Sequence, residues 1–226
     1  MFQGFPEGGL SFLRDLTEHN ERGWFEAHRS AWDAQIVPAM LEWCGSLAEK
    51  LRDVMPGLVF VPRVGGSIYR LNRDVRFSRD KRPYKTHVAA LLWDGAEKHD
   101  APALYLHVAP AEVIFAGGIW AFEETRLDRW RKLLQSAASA ERLEAALASA
   151  RKGGLKPEIS EKLQRPPRGF DPEGPRAELS KYKGLAVVRR WKPAHWLHTA
   201  EALDRAEAAA RAYAPLHAWM RTELCG

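Results

Sequence analysis

Cysteine is nearly absent from this chain: Cys44 and Cys225 lie far apart and in no CxxC spacing. A zinc site built on thiolates is thereby excluded, and a disulfide framework is not expected. No apolar run reaches the length needed to cross a bilayer. The opening Met1-Phe2-Gln3-Gly4-Phe5-Pro6 lacks the basic start and apolar stretch of a secretion signal, so the cytoplasm is the expected location. Histidines are present without a ligand spacing. His19 and His28 are nine apart, and His195 and His198 are three apart with no obvious third ligand. HExxH and GxSxG are missing, and neither cysteine has a plausible catalytic partner. No metal and no activated nucleophile is therefore expected.

What is present suits a globular protein. The 226 residues are 46% apolar and 28% charged, enough for one α+β domain over 1–226 that needs no metal or disulfide to hold it. Nine tryptophans are read as core and interface filler. The net charge is +5, but its placement is uneven. Residues 61–90 carry eight Lys/Arg against two acids, and residues 151–192 carry twelve against five. Two basic segments on an otherwise acidic frame suggest an anionic partner.

Hydrophobic spacing predicts helices through 8–55, with an exit at Thr17–Asn20, a second start near Glu21, and a break or new first turn at Pro38. Strands are expected at Ser67–Arg70, His87–Trp93, Ala103–Val108 and Val113–Gly117, then at Leu185–Val188. The closeness of the middle strands favours antiparallel pairing. Helix returns over 123–150 and ends at Gly153-Gly154; an Ala-rich helix follows over 199–213, and a last short one over 215–224. Residues 155–184 read as a long ordered loop with short helical pieces. The expected fold is a single-domain α+β arrangement, with an antiparallel sheet of about four to six strands flanked by N-terminal and C-terminal helices.

The densest information lies in Arg70-Leu71-Asn72-Arg73-Asp74-Val75-Arg76-Phe77-Ser78-Arg79-Asp80-Lys81-Arg82-Pro83-Tyr84-Lys85. It resembles the signature RxxRDxRFxxxKxxY of the bacterial family called domain of unknown function 2461, and fills every signature position. The opening Phe2-x-Gly4-Phe5 and the later Pro167-x-Gly169-Phe170 are similar to the family as well. The resemblance extends over the whole chain. It bears on the fold and brings no activity with it.

Arginines in such a segment present planar forks for phosphate or carboxylate. Pro83 disfavours a helix, and an extended loop can align the cations on one side while Phe77 and Tyr84 anchor it to the core. The expected site is a clamp for an anionic small molecule, with Arg70, Arg73, Arg76 and Lys81 on the anion, Asp74 orienting them and Tyr84 walling the site. An architectural reading stands beside it, in which Asp74 and Asp80 pair with the arginines only to shape the loop. Nucleic acid is the second candidate partner, bound across both basic segments 61–90 and 151–192; in the second, Lys156, Arg165, Arg168, Lys181, Lys183, Arg189, Arg190 and Lys192 are interleaved with Phe170, Tyr182 and Trp191. For acid–base chemistry the best local set is Asp74 or Asp80 with His87, and Tyr84 as a proton donor. His87 and His107 are expected on neighbouring strands. Gly117-Gly118-Ile119-Trp120 reads as a tight turn, since it lacks the lysine of a phosphate loop.

Overall fold

Along Val113–Ile119 (β3) fully buried and half-open residues alternate without exception, so one face meets a core and the other looks outward. This strand is the middle of a five-stranded sheet in the computed structural model, which describes residues 2–96, 98, 101–159 and 161–226. Met1, at the head of the expected non-signal opening, and Ser160, in the expected loop, lie outside the described residues. The order is β1 (Val88–Trp93), β2 (Ala103–Val108), β3, β5 (Leu185–Trp191) and β4 (Lys156–Glu158), and every neighbouring pair is antiparallel. The α+β expectation and the strand number hold.

The helices are α1 (Glu7–Glu18), α2 (Arg22–Ala31), α3 (Val37–Lys50), α4 (Glu124–Gln135), α5 (Ala137–Lys152), α6 (Ala177–Ser180) and α7 (Glu201–Trp219). Helix α7 lies on β3 and against α5 and α3, and α3 also reaches β1. The main core therefore fills one side of the sheet, around Trp43, Phe115, Trp130, Leu143, Tyr213 and Leu216. Gly117 allows the close approach of α7: a Cβ there would come within 2.6 Å of the Tyr213 ring. Among the described residues no helix is long and apolar enough to cross a membrane.

Three local expectations need correction, and a fourth resolves between its two readings. Ser67–Arg70 is no regular strand. A turn at Gly65 (φ +80°) folds the chain back, and only an isolated bridge, Ile68 to Ala90, lies along β1. Gly117-Gly118 is inside β3 and not a turn; Gly118 (φ +146°) is required because a Cβ would lie 2.2 Å from the Leu185 carbonyl oxygen. Of the break or new first turn expected at Pro38, the new first turn holds. One π-turn, Trp32–Ile36, joins α2 to α3 with right-handed backbone on both sides, and Pro38 falls in the first turn of α3. Pro215 likewise lies within α7, which runs on to Trp219 and a π-turn at Met220–Leu224, so no separate last helix forms. Ala209, Ala210, Tyr213 and Leu216 are all buried around Pro215, and this packing outweighs the missing hydrogen bond.

Candidate functional site

The face of the sheet turned away from α7 is open and concave. Because strand side chains alternate, pairing register assigns it in rows across the strands. One row is Trp93, Ala103, Gly118, Ala186 and Glu158, and the next is Leu91, Tyr105, Ala116, Val188 and Lys156. A third holds Ala89, His107, Ile114 and Arg190. The middle positions are small, and a cavity of about 560 Å³ lies over them. Tyr69, Lys98 and Trp120 rise at its rim, with Glu158 and Arg190 from the second basic segment. Residues from both basic segments thus border one cavity.

The arginine-rich loop stands beside this face. Its base is zipped by Arg73 N–H to the Pro83 carbonyl (2.8 Å) and Lys85 N–H to the Leu71 carbonyl (2.9 Å). Asn20, in the corner between α1 and α2, completes the base as a strand would. Its amide donates to the Tyr84 carbonyl and its side-chain oxygen accepts the Tyr84 N–H, both at 3.0 Å. The Tyr84 ring is buried 4.5 Å from that of Phe25.

Beyond the base the loop is shaped by one small module used twice, Asp74-Val75-Arg76 and Asp80-Lys81-Arg82. Each aspartate accepts both the backbone N–H and the guanidinium of the arginine two residues on, with side-chain contacts of 2.7 Å for Asp74 and 2.8 Å for Asp80. Asp80 also accepts from Arg73 at 2.8 Å. These bonds hold both carboxyls below the usual carboxylate range, Asp74 through Arg76 and Asp80 through Arg82 first and then Arg73. Lys81 donates to the Val75 carbonyl at 3.1 Å. Phe77 is not an anchor: it stands 97% exposed at the loop tip, beside the Arg76 guanidinium, because the tip projects past the core.

A smaller recess of about 170 Å³ lies between loop and sheet, lined by Arg73, Asp80, Arg82, Tyr84, Lys85, Thr86 and His87. Of the six residues expected at the site, Arg73 and Tyr84 line this recess, whereas Arg70, Asp74, Arg76 and Lys81 line neither hollow. The two hollows adjoin at a histidine pair. His87 lines the small one, His107 lines the large one, and their rings stack at 4.1 Å. Burial, helped by Lys85, pushes His87 down to about 4, and burial, helped by His87 and Arg190, pushes His107 down to about 3. Both rings are neutral at pH 7. Tyr105 Oη lies 3.0 Å from His107 Nδ1, and burial raises its phenol to about 12.

Two lysines flank Tyr69 over this junction. Lys85 Nζ is 5.4 Å and Lys98 Nζ 4.7 Å from the ring centre. Lys85 donates to the Arg70 carbonyl at 2.9 Å and Lys98 to that of Gly66. Burial lowers the pKa of both, with Arg63 adding to the effect at Lys98. Arg190, by contrast, is held by Glu158 (2.8 Å) and Glu112 (3.2 Å).

Sequence reasoning missed Asn20, Tyr69, Tyr105 and Lys98. The signal available for the open face was the alternate small residues Ala103, Ala116, Gly118 and Ala186. Among the described residues no group of three His, Cys, Asp or Glu side chains is placed to hold a metal ion. A family model described as "Conserved hypothetical protein (DUF2461)" matches residues 9–219, nearly the whole chain. No curated protein and no solved structure matches it.

Proposed function

We propose, for a chain that belongs to the DUF2461 family of conserved hypothetical proteins, that it binds an anionic small molecule where the two hollows meet. The anion lies near Lys85, with Arg73 and Arg82 on one side and Lys98 on the other. The observation that carries this reading is Lys85. Its ammonium is partly buried, its one hydrogen-bond partner among the described residues is a carbonyl, and burial alone lowers its pKa. An ammonium desolvated without a carboxylate is costly, and an anionic ligand would offset that cost.

Cations outnumber acids around both hollows: Arg73, Arg82 and Lys85 face Asp80, and Lys98 and Arg190 face Glu158. Arg70 contributes by holding Lys85 through its carbonyl. Asp74, Arg76 and Lys81 fold the loop that carries Arg73, so the clamp and the architectural network are two tasks of one segment.

The test is a thermal-shift titration with inorganic phosphate and pyrophosphate, with a short single-stranded oligonucleotide as the competing arm. The wild-type protein should be stabilised by an amount that rises with the logarithm of anion concentration over Kd. Lys85→Met keeps the aliphatic stem and should fold normally, with anion affinity about tenfold weaker or worse. Equal stabilisation of wild type and Lys85→Met would overturn this placement. Oligonucleotide binding with a steep salt dependence, and no response to the small anions, would put nucleic acid in its place.

A further inference from the structure

The floor of the larger cavity narrows the ligand further, on the premise that an anion binds at the Lys85–Lys98 junction. Ala103, Gly118 and Ala186 are direct cross-strand partners on β2, β3 and β5, and Ala116 lies two residues from Gly118 on the same face. At these four adjacent positions no side chain extends past Cβ. With strands about 4.8 Å apart and about 3.4 Å of rise per residue, Ala103, Gly118 and Ala186 form a level strip roughly 10 Å long, widened to roughly 7 Å on β3 by Ala116, where Tyr105 and Val188 flank the widening. A fused two-ring system has about that footprint. The area is two-dimensional, so a single alkyl chain would leave much of it uncovered.

The surroundings suit such a ring. Tyr69 and Tyr105 stand at the border with centroids 6.3 Å apart in an edge-on arrangement, and Trp120 closes another side. Aromatic edges and faces reward a second π-system held between them. Charge is asymmetric along the cavity. At one end Arg190 is matched by Glu158 and Glu112, while at the other Lys98 lines the cavity and Lys85, from the adjoining smaller recess, reaches the same Tyr69 ring. His107, 9% exposed, and Tyr105 supply hydrogen-bonding groups on the floor between the two ends.

We infer that the ligand is a fused-ring aromatic carrying one phosphate or carboxylate. Its ring lies on the Ala103–Ala116–Gly118–Ala186 floor, and its anionic group is directed to Lys98 and Lys85. Size selection rests on those small residues: a larger side chain at Ala116 fills the floor without touching a cation.

The experiment is calorimetric titration of the full chain with 1-naphthyl phosphate and, separately, inorganic phosphate. It is run on wild type and on Ala116→Leu, with Ala116→Val as the smaller, strand-favouring change should the leucine variant not fold. Naphthyl phosphate should bind wild type at least about tenfold tighter than inorganic phosphate, a gain of about 1.4 kcal/mol. The substitution should abolish that gain and leave inorganic phosphate binding unchanged. If naphthyl phosphate binds no tighter than phosphate, or if its advantage survives in the variant, the ring assignment is overturned while anion binding stands. If neither compound binds, the anion site fails and this inference fails with it.

Discussion

His87 and His107 share one stack, and neither gains a carboxylate that would favour a charge. The unfolded chain takes up protons on both rings near pH 6.5, whereas the folded chain resists until about pH 4 and about pH 3. Between those limits the unfolded state binds more protons, so stability rises with pH there. The contribution is complete above pH 7 and is lost as pH falls toward 4. Urea midpoints at pH 7.5 and pH 5 should differ in that direction, and the difference should shrink in His87→Phe. A profile equally steep in the variant would move the cause elsewhere. At this scale the sequence announced the cations and offered Asp74 and Asp80 as their partners, but not which arginine each would take. Arg76 and Arg82 bond to aspartates two residues away, and that choice depends on backbone turns no residue count displays. Lys85 looked like one basic residue among many, and only its burial beside Tyr69 sets it apart.

At the scale of elements, the arginine-rich loop is tied to the helical layer by Asn20, whose side chain makes both hydrogen bonds to the Tyr84 backbone. Asn20→Ala should lower the unfolding free energy by about 1–3 kcal/mol, as two part-buried backbone groups lose their partners. Denaturant titration measures this. The same variant should weaken phosphate binding, since Arg73 and Lys85 flank the released strands of the loop; an unchanged affinity would mean the loop holds its own shape. Strands β1, β2, β3 and β5 were legible as short apolar runs, most of them bounded by turn-forming residues, although only β3 alternates in burial along its whole length. Strand β4 was not: it spans Lys156–Glu158, and its partner β5 lies far along the chain. The π-turn that joins α2 to α3 ahead of Pro38 and the passage of α7 through Pro215 were also invisible, since both depend on tertiary packing that overrides local preference.

Across the whole molecule, both basic segments are divided by ion pairs: in the first, Arg73 and Arg82 share Asp80 and Arg76 takes Asp74. In the second, Lys162 and Lys181 share Glu178, Lys183 pairs with Glu161, Arg176 with Glu144 and Arg190 with Glu158. Exposed pairs of this kind add little stability, but they divide a stretch that reads as uniformly basic. The strand order carries a different consequence, one for the timing of folding. β1, β2 and β3 follow one another as a meander, whereas β5 reaches β3 only after residues 120–184 have been traversed. Local pairings close early and the distant one late, because the long loop must be ordered before its contacts form. Ala186, Val188 and Arg190 belong to that late strand, so the cavity does not exist until β5 docks. A ligand held there acts after the barrier to folding has been crossed. Stopped-flow measurements in phosphate should show slower unfolding with the refolding rate unchanged, and faster refolding would place β5 in the early nucleus.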